Sequence, residues 1–129
     1  METVLIVDDQ PSDARVVVEL ATSLGATNIE VRTTAGAARL YLQSALDGKK
    51  PLPDVMVVDL DLGYESGFEL MRFWHATPKL NSIRLVVWTV MGAEQQEICR
   101  LFKVNAVVSK LDGLSALRRA IEPLAQVAS

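Results

Sequence analysis

The sequence predicts an α/β protein built on a doubly wound, five-stranded parallel sheet with five helices. Three observations support this prediction. Short apolar runs alternate along the chain with segments whose apolar residues recur at helical spacing. The run Val55–Val58 is apolar at every position, which is typical of a strand buried on both faces of a parallel sheet. A length of 129 residues, 50% of them hydrophobic, suits one domain with a sizeable core.

The first half of the chain supplies two predicted strands and two predicted helices. Residues 3–8 form the first strand, and the first helix starts at Pro11, because proline suits the first turn of a helix. Gly25 provides a stop for this helix. Residues 27–33 alternate apolar and polar side chains, which predicts a half-exposed strand at an edge of the sheet. The second helix is expected over Ala35–Leu46.

The second half of the chain continues the alternation. Its predicted segments are the third strand up to Asp59, the third helix from Gly67 to Thr77, the fourth strand Arg84–Thr89, the fourth helix over 93–102, the fifth strand Ala106–Ser109 and the fifth helix from near Gly113. In the fourth helix, we expect Ile98, Leu101 and Phe102 to face the core. Helical crossovers between parallel strands, with the second strand at an edge, favour the strand order 2-1-3-4-5.

Composition and charge narrow the range of functions. The formal net charge of -3 argues against a direct nucleic-acid partner, because binding to a phosphate backbone needs a basic surface. The single cysteine, Cys99, excludes an internal disulfide and a cysteine-rich zinc site. No apolar run approaches the length of a membrane span, and no leader segment precedes the first strand. We therefore expect a cytoplasmic protein with no membrane partner.

Reactive side chains follow four of the predicted strands. Asp8 and Asp9 end the first strand, Asp59 the third, Thr89 the fourth and Lys110 the fifth. Because the carboxyl ends of parallel strands meet at one edge of a sheet, we expect these side chains to lie close together. Taken singly, each has an ordinary explanation, since an acidic pair can cap a helix and a strand can end in a surface threonine or lysine. Their convergence is what indicates a site.

The three aspartates predict a site for a divalent cation. Crowded carboxylates repel one another unless a cation joins them, and oxygen ligands with remaining waters suit Mg²⁺. The backbone carbonyl of Asp61 could complete the ligand set. An aspartate that touches Mg²⁺ can also accept a phosphoryl group. Thr89 and Lys110 would then donate hydrogen bonds to the phosphoryl oxygens.

In this pattern the chain resembles the receiver domain of response regulators, the CheY-like superfamily with a flavodoxin-like fold, over essentially its whole length. The residues that carry the resemblance are, in order, Asp8, Asp9, Asp59, Gly67, Thr89 and Lys110. The resemblance implies a two-component switch in which Asp59 accepts a phosphoryl group from a phosphohistidine of a sensor histidine kinase or phosphotransfer protein. It also implies that Asp9 and Asp59 bind Mg²⁺ directly, and that Asp8 does so mainly through water.

The same resemblance implies how the signal leaves the domain. Thr89 and Lys110 would pass the change to the face formed by the fourth helix, the fifth strand and the fifth helix. Since residues 1–129 are expected to form one receiver domain without an effector domain, output would pass through an unidentified downstream protein or a phosphorelay. We expect a switch with self-dephosphorylation at most, not an enzyme. Residues 78–83 and 104–110 resemble stand-alone regulators paired with cyanobacterial phytochromes, which form homodimers through this face.

Five positions depart from the receiver pattern. Gly63 replaces the usual proline after the acceptor, and Leu111 replaces the proline after the site lysine. Val107 occupies the position of an aromatic switch residue, which puts the expected coupling to the site threonine in doubt. Val90 is bulkier than the usual alanine or glycine, and Met91 stands where a polar residue could orient a water molecule. The last two departures predict slow self-dephosphorylation.

Two other functions stay open from the sequence. Val107, Gly63 and the missing proline after Lys110 slightly favour an adaptor that kept the fold and works without phosphorylation, although the complete set of reactive residues counts against it. Asp59 and Asp61 also resemble the nucleophile motif of haloacid-dehalogenase-type phosphatases. Those phosphatases carry the motif on their first strand without an upstream acidic pair, so a phosphatase is the less favoured alternative.

Overall fold

The computed structural model describes residues 2–90 and 92–128, with side chains up to residue 122. Within these residues the strands are β1 (Thr3–Val7), β2 (Asn28–Arg32), β3 (Val55–Val58), β4 (Asp61–Leu62), β5 (Glu65–Ser66), β6 (Arg84–Thr89) and β7 (Ala106–Ser109). The helices are α1 (Pro11–Ser23), α2 (Ala35–Leu46), α3 (Gly67–Ala76), α4 (Ala93–Leu101) and α5 (Leu114–Ala128). Short 3₁₀ turns cover Pro78–Leu80 and Lys110–Asp112. No helix in the described part of the chain is both long enough and apolar enough to cross a membrane.

Five of the strands form one parallel sheet in the order β2-β1-β3-β6-β7. Since β6 and β7 are the fourth and fifth strands of this sheet along the chain, the predicted order 2-1-3-4-5 and the predicted α/β fold are confirmed. Val58, the last residue of β3, lies in register with Val7 of β1 and Val87 of β6. This register brings the residues that follow β1 and β3 to the same edge of the sheet.

Helices cover both faces of the sheet. Because alternate residues of a strand point to opposite faces, each central strand contributes side chains to two core clusters. Leu5 and Val7 belong to a core cluster with α2, α3 and α4, whereas Val4 and Ile6 belong to a cluster with α1 and α5. All of β1 is buried, but β2 at the edge is only partly buried, as its alternating sequence predicts. The central strands are therefore fixed by packing on both sides.

Helix α4 turns a different face to the core from the one expected. Cys99 is fully buried in the core, whereas Ile98 and Leu101 are 40% and 72% exposed. The prediction that Ile98 and Leu101 face the core is therefore wrong. Successive residues of a helix are rotated by about 100°. A helix that turns Cys99 and the half-buried Phe102 toward the sheet must consequently turn Leu101 away from it.

A short hairpin, which the sequence pattern did not predict, follows the third strand. Its strands β4 and β5 pair antiparallel across the two-residue turn Gly63-Tyr64. Gly63 has a φ of 72°, a conformation that favours glycine and that proline cannot adopt. The Glu65 carboxylate accepts a hydrogen bond of 2.9 Å from the Ala35 amide at the start of α2. The hairpin is thereby fastened to a second helix.

Gly67, the first residue of α3, packs directly against the backbone at the end of the third strand. A Cβ at this position would lie inside contact distance of the Asp59 carbonyl oxygen and 2.9 Å from the Leu60 Cα atom. These neighbours are backbone atoms, so they cannot rotate away as a side chain can. Glycine at position 67 therefore allows α3 to begin directly behind Asp59.

We expect Gly67→Ala to lower the free energy of unfolding by about 1–3 kcal/mol, the usual range for overpacking a filled site. Urea unfolding followed by circular dichroism measures this change. Gly36→Ala is the matched control, because a Cβ at Gly36 meets only a Glu65 carboxylate oxygen at 3.4 Å, and alanine favours the helix. If Gly67→Ala proves as stable as Gly36→Ala, the close packing of α3 on Asp59 is wrong.

Candidate functional site

Acidic residues that follow two neighbouring strands meet at the carboxyl edge of the sheet. Asp8 follows β1 and Asp59 follows β3, and these strands pair directly. Asp8, Asp9 and Asp59 each place one carboxylate oxygen within 4.8 Å of the others. Asp8 is 3% exposed and Asp59 is 6% exposed, while Asp9 is half-buried. Three negative charges therefore share a small and largely buried volume.

The Lys110 ammonium group brings a positive charge into this cluster. Lys110 follows β7 and its side chain is only 12% exposed. It donates hydrogen bonds to Asp8 Oδ2 at 3.0 Å and to Asp59 Oδ2 at 2.9 Å. A third hydrogen bond of 2.7 Å reaches Asp13 Oδ2 on helix α1. One lysine thus links two strand ends to a helix.

Burial and hydrogen bonding shift the pKa values of two groups in the cluster. Burial raises the pKa of the Asp8 carboxyl, and hydrogen bonds from the Gln10 amide and from Lys110 offset only part of this effect. Burial by itself would lower the pKa of Lys110, but its hydrogen bonds to Asp13, Asp59 and Asp8 outweigh burial and raise it.

The raised pKa of Lys110 fixes how its contribution to stability depends on pH. Because this pKa is higher in the folded chain than in the unfolded chain, the contribution is complete at neutral pH. It is lost only when the pH rises above the ordinary lysine pKa of 10.5. For Asp8 a raised pKa means that the charged form lowers stability, because burial disfavours the ionised carboxyl. A cation bound beside Asp8 would offset this loss of stability.

Asp59 accepts hydrogen bonds on both of its carboxylate oxygens. The hydroxyl of Thr89, buried at the end of β6, donates to Oδ1. The Asp61 amide donates to the same oxygen at 3.0 Å, and Lys110 donates to Oδ2. The structure therefore brings the Thr89 hydroxyl and the Lys110 ammonium group into contact with the Asp59 carboxylate. The Asp61 residue is exposed, and the role of its carbonyl as a metal ligand stays a prediction.

Two of the positions that depart from the receiver pattern, Gly63 and Val90, line this site. Val90 is 61% exposed and lines the cavity over Asp59. Val107 is half-buried in β7 and packs against the core. The Leu111 amide donates to Ser109 Oγ at 3.1 Å, a bond that a proline could not make. Met91 lies outside the described residues, so the slow self-dephosphorylation inferred from positions 90 and 91 stays a prediction.

Asp13 is the residue of the site that sequence reasoning missed. It lies in the first turn of α1, where an acidic side chain is already explained by the helix dipole. The position of helix α1 in the predicted fold could have identified Asp13 as a site residue. Helix α1 begins a few residues after β1 ends, so its first turn stays beside the carboxyl edge and within reach of a long lysine side chain.

An open cavity of about 380 Å³ lies over Asp59, with Asp9, Asp13 and Lys110 in its wall. This volume is large enough for a cation with several waters and a phosphoryl-sized group, because one water occupies about 30 Å³. A ligand set made only of carboxylate oxygens, with open positions for water, suits a hard divalent cation. The acidic cluster therefore fits a divalent metal ion.

Comparison with solved structures identifies the fold. The chain has the receiver-domain fold of response regulators. It matches the signal receiver domain of a DNA-binding response regulator from Colwellia psychrerythraea 34H with a TM-score of 0.82 and 19% identity, over 98% of this chain and 99% of that chain. No protein-family model matches the sequence, and no curated protein sequence shows significant similarity to it.

Phytochrome response regulators are among the similar structures. The bacteriophytochrome response regulator AtBRR is 26% identical with a TM-score of 0.74, over 95% of this chain and 91% of that chain. The Mn²⁺-bound form of the response regulator Rcp1 is 24% identical with a TM-score of 0.78, over 96% of this chain and 91% of that chain. The resemblance to receiver domains, and to the regulators of phytochromes within them, is confirmed.

We expect Mg²⁺ to raise the melting temperature of the wild-type chain. A cation that binds only the folded state stabilises it by mass action, by about 2.7 kcal/mol at a hundredfold excess over its dissociation constant. Asp9→Asn should remove most of this gain, because Asp9 is a member of the acidic cluster while Lys110 bonds to other aspartates. Thermal unfolding with and without Mg²⁺ measures the difference.

Asp47→Asn is the matched control for this experiment. Asp47 is exposed and follows the C-terminal end of α2, so it lies at the opposite edge of the sheet from the cluster. This variant should respond to Mg²⁺ as the wild type does. A melting temperature that ignores Mg²⁺, or a response that survives intact in Asp9→Asn, would rule out a cation at the cluster.

Proposed function

We propose that the chain is a cytoplasmic two-component receiver that accepts a phosphoryl group from a phosphohistidine onto Asp59 with Mg²⁺. The donor would be a sensor histidine kinase or a phosphotransfer protein, and the output would pass through partner binding or a phosphorelay. The observation that carries this proposal is the Asp59 carboxylate, which is held by Thr89 and Lys110 beside two further aspartates. The receiver-domain fold supports the signalling class.

The proposed transfer exchanges a P–N bond for a P–O bond. An Asp59 oxygen attacks the phosphorus atom, and the bond from phosphorus to the donor's histidine nitrogen breaks. The imidazole leaves with the electron pair of that bond and is neutral, because its other nitrogen carries a proton. Mg²⁺ held by Asp9 and Asp59 would neutralise part of the charge on the phosphoryl oxygens.

Thr89 and Lys110 are placed to follow this change in charge. Both side chains donate to Asp59 in the structure. After transfer, the negative charge lies mainly on the phosphoryl oxygens, so both donors would move their hydrogen bonds to those oxygens. Such a move changes the positions of side chains at the ends of β6 and β7, beside α4 and α5. It would thereby report the state of Asp59 to this side of the domain.

The geometry weighs against a phosphatase that uses two aspartate side chains. The second aspartate of such an enzyme must exchange a proton with the substrate through its carboxyl group. Asp61 instead contacts Asp59 through its backbone amide and is exposed at the rim of the site. An adaptor that works without phosphorylation would keep the same pocket unused, and the next experiment separates it from a receiver.

Intact-mass spectrometry after incubation with acetyl phosphate tests the proposed function. We expect one phosphoryl adduct on the wild-type chain, formed only with Mg²⁺, and none on Asp59→Asn because the acceptor oxygen is absent. Asp47→Asn, remote from the site, should be modified as the wild type is. The absence of any adduct with several donors would favour the adaptor. Turnover of a phosphate ester that is lost in Asp61→Asn would favour the phosphatase.

We also propose that the chain forms a homodimer through an exposed apolar patch beside β7, which we name the α4–α5 patch. Ile98 and Leu101 of α4 are 40% and 72% exposed, and Leu111 and Leu114, which follow β7, are 80% and 48% exposed. β7 is an edge strand of the sheet, with α4 before it and α5 after it in the chain. Exposed apolar side chains that flank a sheet edge are a surface that a second copy can cover.

We expect Leu101→Lys to raise the dissociation constant of this dimer by about tenfold or more, because a charge would be buried at the centre of an apolar contact. Light scattering over a concentration series measures the oligomeric state. Leu40→Lys is the matched control, since Leu40 is 66% exposed on α2. A wild-type chain that stays monomeric, or an equal weakening by Leu40→Lys, would place no interface at the α4–α5 patch.

A further inference from the structure

The shortest hydrogen bond from the Lys110 ammonium group goes to a residue outside the acidic cluster. Its partner, Asp13 Oδ2, lies at 2.7 Å, compared with 2.9 Å for Asp59 and 3.0 Å for Asp8. The three aspartates use all three N–H donors of the ammonium group. Asp13 belongs to the first turn of α1, whereas the other two partners follow strands.

Asp13 differs from the other two partners in what happens to it when the site is used. Asp8 and Asp59 are members of the cluster that fits a divalent cation, and Asp13 is not. Under the proposed function, Asp59 also forms the bond to phosphorus. Both of these partners would therefore share their negative charge with a cation or lose part of it. Asp13 would keep its full charge throughout the reaction.

We propose that Asp13 is a positioning residue that keeps the Lys110 ammonium group at the acceptor site while Asp59 is being phosphorylated. The role rests on the proposed function of Asp59. When the Asp59 oxygen bonds to phosphorus, one N–H of Lys110 moves from Asp59 to a phosphoryl oxygen, and the N–H bonded to Asp13 stays in place. One fixed hydrogen bond limits the directions in which the long lysine side chain can swing.

Exposure and charge support this division of roles. The Lys110 side chain is 12% exposed and that of Asp13 is 35% exposed, so Asp13 lies nearer the mouth of the cavity than the ammonium group that it contacts. Hydrogen bonds between charged groups are stronger than those between neutral ones, which allows a single partner at the mouth to orient the ammonium group. The contact also joins α1 to the end of β7, two elements from opposite ends of the chain.

The structure contains a reporter of the position of Lys110. The ammonium group lies 5.1 Å from the centroid of the Trp88 ring, which is 6% exposed. Indole emission responds to a nearby charge, so displacement of the ammonium group should change the fluorescence of Trp88. The sequence contains one other tryptophan, Trp74. The measurement should use a Trp74→Phe background, so that all of the indole emission comes from Trp88. Emission needs no phosphodonor and therefore reads the contact independently of phosphorylation.

The first experiment measures the rate of phosphorylation by saturating acetyl phosphate. We expect Asp13→Asn to slow the wild-type rate by about five- to tenfold, because one of three charged hydrogen bonds to Lys110 is lost. The Mg²⁺ concentration for half-maximal rate should change by less than about twofold, since Asp13 is outside the cluster. Asp13→Glu should recover part of the rate. Glu19→Gln, an exposed charge removal on the same helix, should have no effect.

A double-mutant cycle separates positioning from general support of the fold. If Asp13 acts through Lys110, then Asp13→Asn should slow phosphorylation no further in a Lys110→Ala background. In the Trp74→Phe background, Asp13→Asn should shift the emission of Trp88 in the same direction as Lys110→Ala does, without donor or Mg²⁺.

The outcomes distinguish failure of the proposed function from failure of the positioning role alone. If the wild-type chain takes up no phosphoryl group, the proposed function of Asp59 fails and the positioning role fails with it. If the wild type is phosphorylated but Asp13→Asn reacts at the same rate, only the role of Asp13 is overturned. The role of Asp13 would also be overturned if Asp13→Asn slowed phosphorylation by the same factor in the Lys110→Ala background as in the wild type. An emission of Trp88 that Asp13→Asn leaves unchanged would overturn it as well.

Discussion

The balance of charge at the carboxyl edge of the sheet is the constraint on which the rest of the structure depends. Buried carboxylates persist in a fold only when positive charge or hydrogen bonds compensate them. Here one ammonium group, that of Lys110, is shared among aspartates from the ends of β1 and β3 and from α1. The sharing is geometrically possible only because β1, β3 and β7 end at the same edge. Strand order and register are therefore requirements of the site as much as of the core.

Most of the fold could be predicted because its elements are set by local patterns. The continuous apolar run Val55–Val58 identifies a central strand, and the alternation in residues 27–33 identifies an edge strand. The strands Arg84–Thr89 and Ala106–Ser109 and the helix Ala35–Leu46 have the predicted bounds. The placement of Asp59, Thr89 and Lys110 followed from the topology alone, since parallel strands present their carboxyl ends at one edge.

The features that escaped prediction are elements too short to show a pattern, residues on an exposed surface, and contacts between residues distant in sequence. Strands of two residues, such as β4 and β5, are too short to show a period. Leu101 is apolar like a core residue but lies on the exposed side of its helix. It was mispredicted because apolar character alone does not distinguish a core position from an exposed one. Asp13 and Lys110 are 97 positions apart in the sequence, and the residues beside Asp13 in the sequence do not predict their contact.

The β4–β5 hairpin is attached to the rest of the protein at three points. The Asp61 amide bonds to Asp59, the Glu65 carboxylate bonds to the Ala35 amide, and the Gly67 amide bonds to the Leu60 carbonyl at 3.0 Å. Surface connections ordinarily tolerate insertions and deletions. In this connection one added residue would turn Glu65 to the opposite side of its strand, and the Ala35 amide would lose its carboxylate. The two shortest strands of the protein thus set a length that cannot change without rebuilding the start of α2.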